Sequence, residues 1–365
     1  MSVVYKKLED VCEILDSRRV PITAKDRKAG TYPYYGANGL QDYVADYIFD
    51  DELVLLAEDG GNFGSKERPI AYRVSGKCWV NNHAHVLKAK PNMHVDYLCY
   101  ALMFYDTEGL VNGATRQKLT QAAMRQMVIP YRDMTEQLQI IKKISQIVRS
   151  IEKRKEELQL LDQLVKSRFI ELFGDPVLNQ HGWRKVALEV NATLLNGRAY
   201  KQDELLDSGK YPVLRVGNFF SNRGWYYSDL ELDDDKYCDN GDLLYAWSAS
   251  FGPQIWNGGK VIYHYHIWKV LVGEAYNKQF LCKLLEYATE SLMGDTHGIA
   301  MMHLTKSGME KTEFIVPPIE RQEQFAAFLE QTDKSKYYSS LSFRYCQAAA
   351  NTYRQEWMTC RTSDF

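Results

Sequence analysis

Histidine, asparagine, arginine and lysine side chains gather in glycine-rich turns of this sequence, and these residue types could hold a metal or bind a ligand. Two His-x-His-x-x-Lys stretches stand out, at His83–Lys88 and His264–Lys269. Histidines two residues apart on a strand point to one face of a sheet and could ligate a metal. No Cys, Asp or Glu close in sequence completes either set. We therefore predict no metal site and interpret these histidines as structural residues or as residues that face a macromolecular ligand.

The motifs of common enzyme classes do not match the sequence. Gly60–Lys66 is glycine-rich but lacks the Gly-Lys-Ser/Thr order of a phosphate-binding loop, and no G-x-G-x-x-G follows a predicted strand. The stretch Asp175-Pro-Val-Leu178 resembles the Asp-Pro-Pro-Tyr of amino-methyltransferases only in its first two residues. Asp59 and Glu67 do not predict a nuclease site, because no second carboxylate is followed by a lysine. The sequence thus predicts a binding protein without catalytic residues of its own.

A heptad pattern over residues 136–172 predicts a long helix between two globular regions. Steps of four and three residues from Ile140 meet aliphatic residues at eight of ten positions, with charged residues between them. Gly174-Asp175-Pro176 predicts the end of the helix. A helix of roughly 38 residues would be about 57 Å long. The alternative is a long helix packed on its own domain, but the regular 3.5-residue period favours a coiled coil. The predicted seam is Ile140, Ile144, Ile147, Ile151, Leu158, Leu161, Val165 and Leu172.

Six motifs recur in the same order on both sides of this helix, which predicts an internal repeat. The first copies pair with the second at offsets of about 179 to 189 residues. The pairs are Tyr32-Pro33 with Tyr211-Pro212, Leu53–Gly64 with Asp242–Gly252, His83–Lys88 with His264–Lys269, Tyr97-Leu-Cys with Phe280-Leu-Cys, Leu119-Thr120 with Leu304-Thr305, and Ile129-Pro130 plus Glu136-Gln137 with Val316-Pro317 plus Glu323-Gln324. The alternative is two unrelated domains of similar composition. We predict an α+β fold of two similar domains joined by long coiled-coil helices, with a pseudo-two-fold repeat.

The predicted domains follow from these patterns. The first globular domain covers residues 1–135 and the first helical spacer residues 136–178. The second globular domain covers residues 179–318 and a second helical spacer residues 319–365. The second heptad begins well at Phe325 and Leu329 but loses its aliphatic seam from Lys336 onward. The C-terminal part of the second spacer is therefore atypical.

Composition restricts the class of protein. The chain has 365 residues with 45% hydrophobic residues, enough for two domains with real cores. The start of the sequence lacks the apolar region of a signal peptide, and no stretch of about 18 apolar residues predicts a membrane span. Seven scattered cysteines without a CxxC favour a reducing compartment, so we expect a cytoplasmic protein. With a net charge of −2, a DNA-binding protein would have to gather its Lys and Arg on one face.

Polar and basic residues at the predicted turns are candidates for DNA contacts. Arg and Lys suit guanine edges and phosphates, and Asn and Gln suit adenine. In the first domain the candidates are Tyr35, Asn38, Asn62, Lys66, Arg68, Asn82, His83, His85, Arg116, Gln117 and Lys118. In the second domain they are Arg215, Asn218, Ser248, Ser250, His264, His266, Thr296, His297 and Lys306. For any one of them the alternative is an ordinary solvated loop residue. Two contact patches on one rigid strut would read two short half-sites of double-stranded DNA with an unread spacer between them.

Over residues 1 to about 335 the chain resembles the specificity (S) subunits of type I restriction-modification enzymes. The residues that carry the resemblance are Tyr32–Gly39, Val54–Phe63, Trp79–Lys88, Arg116–Thr120 and Ser167–Pro176 with Gly182-Trp183. The resemblance implies two target-recognition domains and sequence-specific binding to a bipartite target. It also implies two helical spacers, with the seam residues given above and Phe325 and Leu329, that pair antiparallel as a coiled coil and dock the modification subunits. It implies two modification (methyltransferase) subunits and a restriction (translocase and nuclease) subunit as partners. S-adenosylmethionine, ATP and Mg are then expected on these partners, with no cofactor in this chain.

The C-terminal tail departs from that family pattern. Residues 336–365 lack the Leu/Ile/Lys/Glu composition of a second spacer, so we expect a diverged tail with weaker antiparallel pairing. Two other functions stay open on the sequence. One is a stand-alone or type II-like specificity protein that serves a different methyltransferase. The other is a coiled-coil adaptor that binds proteins and has no DNA specificity.

Overall fold

The computed structural model describes residues 4–113, 116–221, 224–248, 250–295 and 305–358. The chain folds into two compact α+β units. The first unit comprises Met1–Lys155 and Leu341–Phe365, and the second comprises Glu156–Ser340. Each unit therefore contains one globular region and a segment of each of two long helices. Within the described residues, no helix is both long enough and apolar enough to span a membrane.

A six-stranded mixed sheet forms the first globular region. Its strands and helices are β1 (Val4–Lys7), α1 (Leu8–Val11), β2 (Cys12–Ile14), β3 (Ala29–Gly36), β4 (Gly39–Val44), β5 (Phe49–Ala57), β6 (Ala71–Val80), β7 (Ala84–Ala89), α2 (Val95–Leu102), β8 (Val111–Asn112), β9 (Lys118–Leu119), α3 (Gln121–Gln126), β10 (Val128–Tyr131) and the long α4 (Met134–Phe173). The strand order is β2-β7-β5-β6-β3-β4, and β1 pairs with β10 in a separate ribbon. Strand β5 is buried in the centre of this sheet, as its run of apolar residues requires.

Two four-stranded sheets form the second globular region. Its elements are β11 (Lys185–Ala187), α5 (Leu188–Asn191), β12 (Ala192–Asn196), β13 (Tyr211–Leu214), α6 (Val216–Phe220), β14 (Tyr226–Ser228), β15 (Tyr237–Cys238), β16 (Leu243–Ser248), β17 (Ser250–Ile255), β18 (Val261–Tyr263), β19 (Ile267–Val272), α7 (Lys278–Asp295), α8 (Lys306–Lys311), β20 (Glu313–Ile315) and the long α9 (Ile319–Met358). The strand orders are β12-β19-β16-β17 and β14-β13-β18-β15. The long β6 of the first unit corresponds to the separate strands β17 and β18, which explains why one sheet becomes two.

The repeat predicted from the sequence is present in the fold, and one ion pair shows its register. In the first unit Lys88 lies opposite Leu53 and its Nζ is 2.6 Å from Asp51 Oδ1. In the second unit Lys269 lies opposite Leu244 and its Nζ is 2.8 Å from Asp242 Oδ2. In both units the aspartate stands two residues before the leucine that faces the lysine. The final Lys of each His-x-His-x-x-Lys motif therefore stabilises the same strand pair.

A buried glutamine fixes the start of α4 to the first globular region. Gln137 is fully buried, and its Oε1 accepts a hydrogen bond from the His94 backbone N–H at 2.8 Å. Its Nε2 donates to the carbonyl oxygens of Asn92 (2.9 Å) and Arg132 (2.8 Å). The side chain thus bonds to three backbone groups from the helix entry and the loop before α2, and its own buried polar atoms are satisfied.

Gln322 makes the same three bonds in the second unit. Its Oε1 accepts from the Asn277 N–H at 2.9 Å, and its Nε2 donates to the carbonyls of Ala275 (3.0 Å) and Pro317 (2.8 Å). The repeat alignment is corrected here, because the sequence motifs paired Gln137 with Gln324. The carbonyl five residues before each glutamine is the acceptor in both units, and this places Gln322 opposite Gln137.

Helix α4 follows the predicted heptad closely. It runs from Met134 to Phe173, and the Gly174 N–H, at a φ of 74°, closes the last turn on the Ile170 carbonyl at 2.8 Å. All eight predicted seam residues are buried or half-buried, whereas the intervening Lys142, Lys143 and Arg149 are exposed. The seam therefore serves helix packing inside each unit. A role of these residues in subunit docking stays a prediction.

Helix α9 continues to Met358, so the atypical tail is helical over the residues that the structure describes. The weaker antiparallel pairing expected for it stays a prediction. In the second unit Phe325 packs on Phe169 with ring centroids 5.5 Å apart, and Lys336 Nζ lies 2.6 Å from Asp162 Oδ1. The two helices thus run antiparallel there. In the first unit Lys143 Nζ lies 5.5 Å from the centre of the Tyr353 ring.

Polar side chains in the second seam are accommodated locally. Thr332 and Ser339 are buried, and the Thr332 hydroxyl donates to the Phe328 carbonyl of its own helix at 2.9 Å. Lys336 keeps its ammonium group in the ion pair with Asp162. These contacts explain why a seam without aliphatic residues still forms a paired helix.

Candidate nucleic-acid interface

Asp59 joins two predicted site residues of the first domain at the end of β5. His83 Nδ1 lies 2.6 Å from Asp59 Oδ1, and Arg116 Nη2 donates to the same oxygen at 2.8 Å. The Asp59 side chain is 19% exposed, whereas that of Arg116 is 60% exposed. The carboxylate is therefore sheltered beneath a guanidinium group that faces solvent.

The neighbouring turns are tied to this group by backbone contacts. The Gly60 N–H donates to the Gln117 carbonyl at 3.2 Å, and Asn38 Nδ2 donates to the Gly60 carbonyl at 2.9 Å. Lys118 Nζ lies 3.1 Å from Glu58 Oε1. The fold thus brings Asn38, Gln117 and Lys118 together with His83 and Arg116.

A hollow of about 530 Å³ extends this patch. It is lined by Asn38, Asn62, Arg68 and Tyr72 together with Gly39 and Pro69. The Tyr35 ring lies 5.9 Å from the Tyr72 ring, and the Tyr72 hydroxyl donates to the Gly36 carbonyl. Lys66 and Asn82, the remaining exposed candidates of the first domain, lie on loops outside this hollow. The hollow offers amide, guanidinium and aromatic surfaces side by side, which suits base edges.

His85 has a different role from the one predicted, because it is fully buried. Its Nδ1 lies 2.6 Å from Asp16 Oδ2 and its Nε2 2.9 Å from the Leu119 carbonyl. Arg19 Nη1 lies 2.7 Å from Glu58 Oε2, and Arg19 Nη2 lies 3.6 Å from Asp16 Oδ2. The sequence showed no acidic partner for His85, but the fold supplies Asp16 and Glu58. His85 therefore holds the strand ends in place and does not reach a ligand at the surface.

This buried network has the donor atoms of a metal site but already contains a cation. The ligand atoms of Asp16, Glu58 and His85 lie within 4.8 Å of one another. The Arg19 guanidinium contacts both carboxylates and offsets part of their charge. Burial raises the pKa of Asp16, but the hydrogen bond and charge of His85 outweigh this effect and hold that pKa below its usual range. The network is best described as a buried salt bridge that shapes the turn.

Aromatic rings surround the corresponding histidines of the second domain. The His264 and His266 rings lie 4.7 Å apart, and Tyr265 between them lies 4.0 Å from His266. Trp247 packs edge-on against His266 at 5.0 Å, and Tyr200 stacks on His264 at 6.3 Å. Tyr265 is 39% exposed, so this cluster presents an aromatic surface where the first domain presents Arg116.

Both histidines of this cluster are neutral near pH 7. Burial lowers the pKa of His264 to about 4, and the charges of His266 and Arg215 add to the shift. Burial also lowers the pKa of His266. Neutral imidazoles can accept as well as donate hydrogen bonds, so the cluster is suited to base edges more than to phosphates.

Arg215 and Asn218 line a second hollow of about 520 Å³ in the same unit. The Arg215 guanidinium lies 5.1 Å from the centre of the Tyr226 ring. The His264 N–H donates to the Leu214 carbonyl at 2.9 Å. Arg215 is the next residue after Leu214 and is therefore held close to the histidine cluster. The fold thus brings Arg215, Asn218, His264 and His266 to one region.

The remaining candidates of the second domain lie elsewhere or are outside the described residues. Ser248 and Ser250 face each other across the turn between β16 and β17. Lys306 lies in α8, where its Nζ is 3.5 Å from Glu310 Oε1. Thr296 and His297 fall outside the described residues. The ion pair of Lys306 is therefore made within its own helix and not with the histidine cluster.

Several residues of the two clusters were not among the sequence candidates. Asp59 was considered only for a nuclease site, and Tyr200, Trp247 and Tyr265 were not considered for contacts. The position of Tyr265 between two candidate histidines was the one available sequence signal. The others become neighbours only through strand pairing, which the sequence does not state.

The fold and the two clusters define a class of protein: a repeated recognition domain carried on paired long helices. Comparison with known families gives the same class. The model for the type I restriction modification DNA specificity domain matches residues 2–161 and 181–337. The chain therefore belongs to this family and contains two recognition domains. Specificity subunits of type I systems are non-catalytic DNA-recognition components, and this describes the present chain.

Relatives in sequence agree with the family match. The chain is 27% identical over 338 residues to a candidate type I restriction enzyme specificity subunit of Haemophilus influenzae. The aligned region covers 90% of this chain and 87% of that protein. It is 24% identical over 161 residues to the type I restriction enzyme EcoBI specificity subunit of Escherichia coli, over 42% of this chain and 34% of that protein.

Solved structures share the fold at low sequence identity. The S subunit of a type I restriction-modification system from M. genitalium is 12% identical, with a TM-score of 0.61 over 99% of this chain and 96% of that chain. A chain from a structure that describes complex assembly and conformational transition of a type I system is 14% identical, with a TM-score of 0.56 over 98% of both chains. These likenesses support the two-domain architecture.

Proposed function

We propose that each recognition domain reads one half-site of a bipartite double-stranded DNA target, through the cluster at the end of its central strands. The observation that carries this proposal is the equivalence of His83 and His264. Both stand at the start of a His-x-His-x-x-Lys motif, and both have exposed basic or aromatic residues around them. A protein that recognises two half-sites needs two similar domains with a binding cluster at the same place in each of them.

The two half-sites are read by different chemistry in this proposal. Arg116 and Lys118 supply charged donors in the first domain, together with the amides of Asn38 and Asn62. The second domain offers the neutral histidines, Tyr265 and Arg215. Cationic donors suit guanine edges and phosphates, whereas aromatic and neutral groups suit thymine methyl groups and base edges. The two half-sites should therefore differ in sequence.

The chain acts in this proposal as the recognition subunit of a larger enzyme. Two modification subunits and a restriction subunit would dock on it, and S-adenosylmethionine, ATP and Mg would be bound by those partners. Exposed apolar side chains on the long helices support such docking: Leu160 is 56% exposed and Tyr345 77% exposed. We further infer a cytoplasmic location, which the five buried unpaired cysteines favour.

The first experiment compares the methylomes of cells that express this chain with its modification subunit and of cells that lack the chain. We expect a new adenine-methylated motif with two defined half-sites and an unspecified spacer. Expression of the modification subunit alone is the control and should give no motif. A complex that assembles and methylates no defined sequence would contradict the proposal.

The coiled-coil adaptor is the competing function, and salt dependence separates it from DNA recognition. Phosphate contacts release counterions, so DNA affinity should fall steeply between roughly 50 and 200 mM salt. An adaptor would bind a protein partner with little salt dependence and would show no preference for a DNA sequence. The family match favours the DNA-binding function over the adaptor.

A further inference from the structure

The arrangement around Asp59 goes beyond a general basic patch, because one oxygen receives two donors. Asp59 Oδ1 is bonded both to His83 Nδ1 at 2.6 Å and to Arg116 Nη2 at 2.8 Å. A carboxylate oxygen with two fixed donors holds each of them in one direction. The Arg116 side chain, 60% exposed, would otherwise sample many rotamers.

Gly60 supplies the space in which the guanidinium group lies. Its φ is 62°, and a Cβ at this position would stand 3.3 Å from Arg116 Nε. The guanidinium group therefore passes close over the backbone at residue 60. Any other residue would be strained there and would push the arginine away.

The backbone that follows Arg116 is also held. The Gly60 N–H bonds to the Gln117 carbonyl at 3.2 Å, and the Leu119 N–H bonds to the Glu58 carbonyl at 2.7 Å. Arg116 is thus held at the end of β5 in two ways. These bonds hold the backbone that follows it, and Asp59 holds its guanidinium group.

We propose that Arg116 is a specificity-determining residue that reads one base of the first half-site, most suitably a guanine, and that Asp59 is the positioning residue that aims it. The proposal rests on the proposed DNA-recognition function. A guanidinium group held by one Nη2 keeps its remaining N–H donors in a fixed plane, which is what paired bonds to guanine O6 and N7 need. Its neighbour Lys118 is bonded to Glu58 as a flexible ammonium and suits a phosphate.

The experiment measures the methylated motif of the full complex with the variants Arg116→Ala, Asp59→Asn and Gly60→Ala. Arg116→Ala should relax the preference at one position of one half-site by roughly 10- to 100-fold, as expected for loss of a paired arginine–guanine contact. Asp59→Asn and Gly60→Ala should relax the same position, more weakly, and leave the other half-site unchanged. Asp59→Glu should restore part of the preference.

Matched controls separate positioning from general structure or charge. Arg125→Ala removes an arginine that is 41% exposed and pairs with Glu9, and Asp46→Asn removes an exposed carboxylate; both should leave the motif unchanged. If Arg116→Ala lowers methylation at all positions equally, the arginine contacts a phosphate and the proposal is overturned. If Asp59→Asn leaves the motif unchanged while Arg116→Ala alters it, Asp59 has no positioning role. A wild-type complex without any motif would instead refute the proposed function itself.

Discussion

At the residue scale, side-chain type predicted the surface residues of the clusters but not the residues that hold them. Asn38, His83 and Arg116 were predicted because glycine-rich turns carry polar ligands. Asp59 is 24 residues from His83 and 57 residues from Arg116, and contacts at such separations follow from strand pairing. His85 was assigned to the surface by its spacing from His83, yet it is buried because acidic partners from distant turns and a backbone carbonyl satisfy its two nitrogens.

The half-buried His264 should make the stability of the second unit depend on pH. Its pKa of about 4 in the folded chain lies below the ordinary 6.5. The unfolded chain therefore takes up a proton first as the pH falls, and stability present above pH 6.5 is lost between pH 6.5 and 4. His264→Gln should remove part of this loss, about 1 kcal/mol between roughly pH 7.5 and 5 after allowance for solvent screening.

Urea unfolding of the wild type and the variant at about pH 7.5 and about pH 5 measures this difference. His181→Gln replaces an exposed histidine and is the matched control, which should behave as the wild type does. An equal loss of unfolding free energy in the wild type and in His264→Gln would contradict the assignment.

At the element scale, periodicity predicted helices better than it predicted sheets. The heptad of residues 136–172 lies within the helix Met134–Phe173. The division of one strand into β17 and β18 was not predicted. Between the two strands Trp256 Nε1–H donates to the Gly259 carbonyl at 2.7 Å, a local contact that alternation of residues does not reveal. The composition of the second seam also does not reveal how its polar residues are accommodated, such as Thr332, whose hydroxyl bonds within its own helix.

The glutamines at the two helix entries should be more important for stability than their neighbours. Gln137→Met or Gln322→Met would remove three hydrogen bonds between a buried side chain and the backbone, one from an N–H and two to carbonyls. We expect each variant to lower the free energy of unfolding by roughly 2–4 kcal/mol, because unsatisfied buried polar groups are costly. Thermal or urea unfolding of the full chain measures the loss.

Gln139→Met is the control, since Gln139 is exposed on the same helix as Gln137. It should change the free energy of unfolding by no more than about 0.5 kcal/mol. Similar values for all three variants would show that the hydrogen bonds to Gln137 and Gln322 do not determine stability.

At the scale of the whole molecule, the first unit is not a continuous stretch of chain. It takes residues from Met1–Lys155 and again from Leu341–Phe365. Its core includes Ile140 from α4 and has Tyr353 from α9 packed against it. The core of the second unit includes Val165 from α4 and Leu329 from α9. Repeat motifs could predict two similar globular regions, but which helix segment stabilises which region emerges only from packing.

Removal of the α9 tail should therefore weaken the first unit and spare the second. A chain that ends at Ser340 loses Ala350 and Tyr353, which line a small cavity with Tyr100, Ile144 and Ile147. Hydrogen exchange followed by mass spectrometry should show faster exchange over residues 140–151 and little change over residues 161–172. Tyr345→Ser, at a position that is 77% exposed, should leave both segments unchanged. Unchanged protection of residues 140–151 after truncation would contradict this view.

The residues that stabilise the repeated fold are separate from those that form the two clusters, and this has a consequence for evolution. Asp51, Lys88 and Gln137 have direct counterparts in Asp242, Lys269 and Gln322, whereas the group around Asp59 differs from the rings around His264. Because these bonds lie outside the clusters, substitutions could alter the turns of one half without disturbing the bonds that fold it. Each half of the gene can thus acquire a new preference on its own, and a population can vary one part of its recognised sequence while it inherits the other.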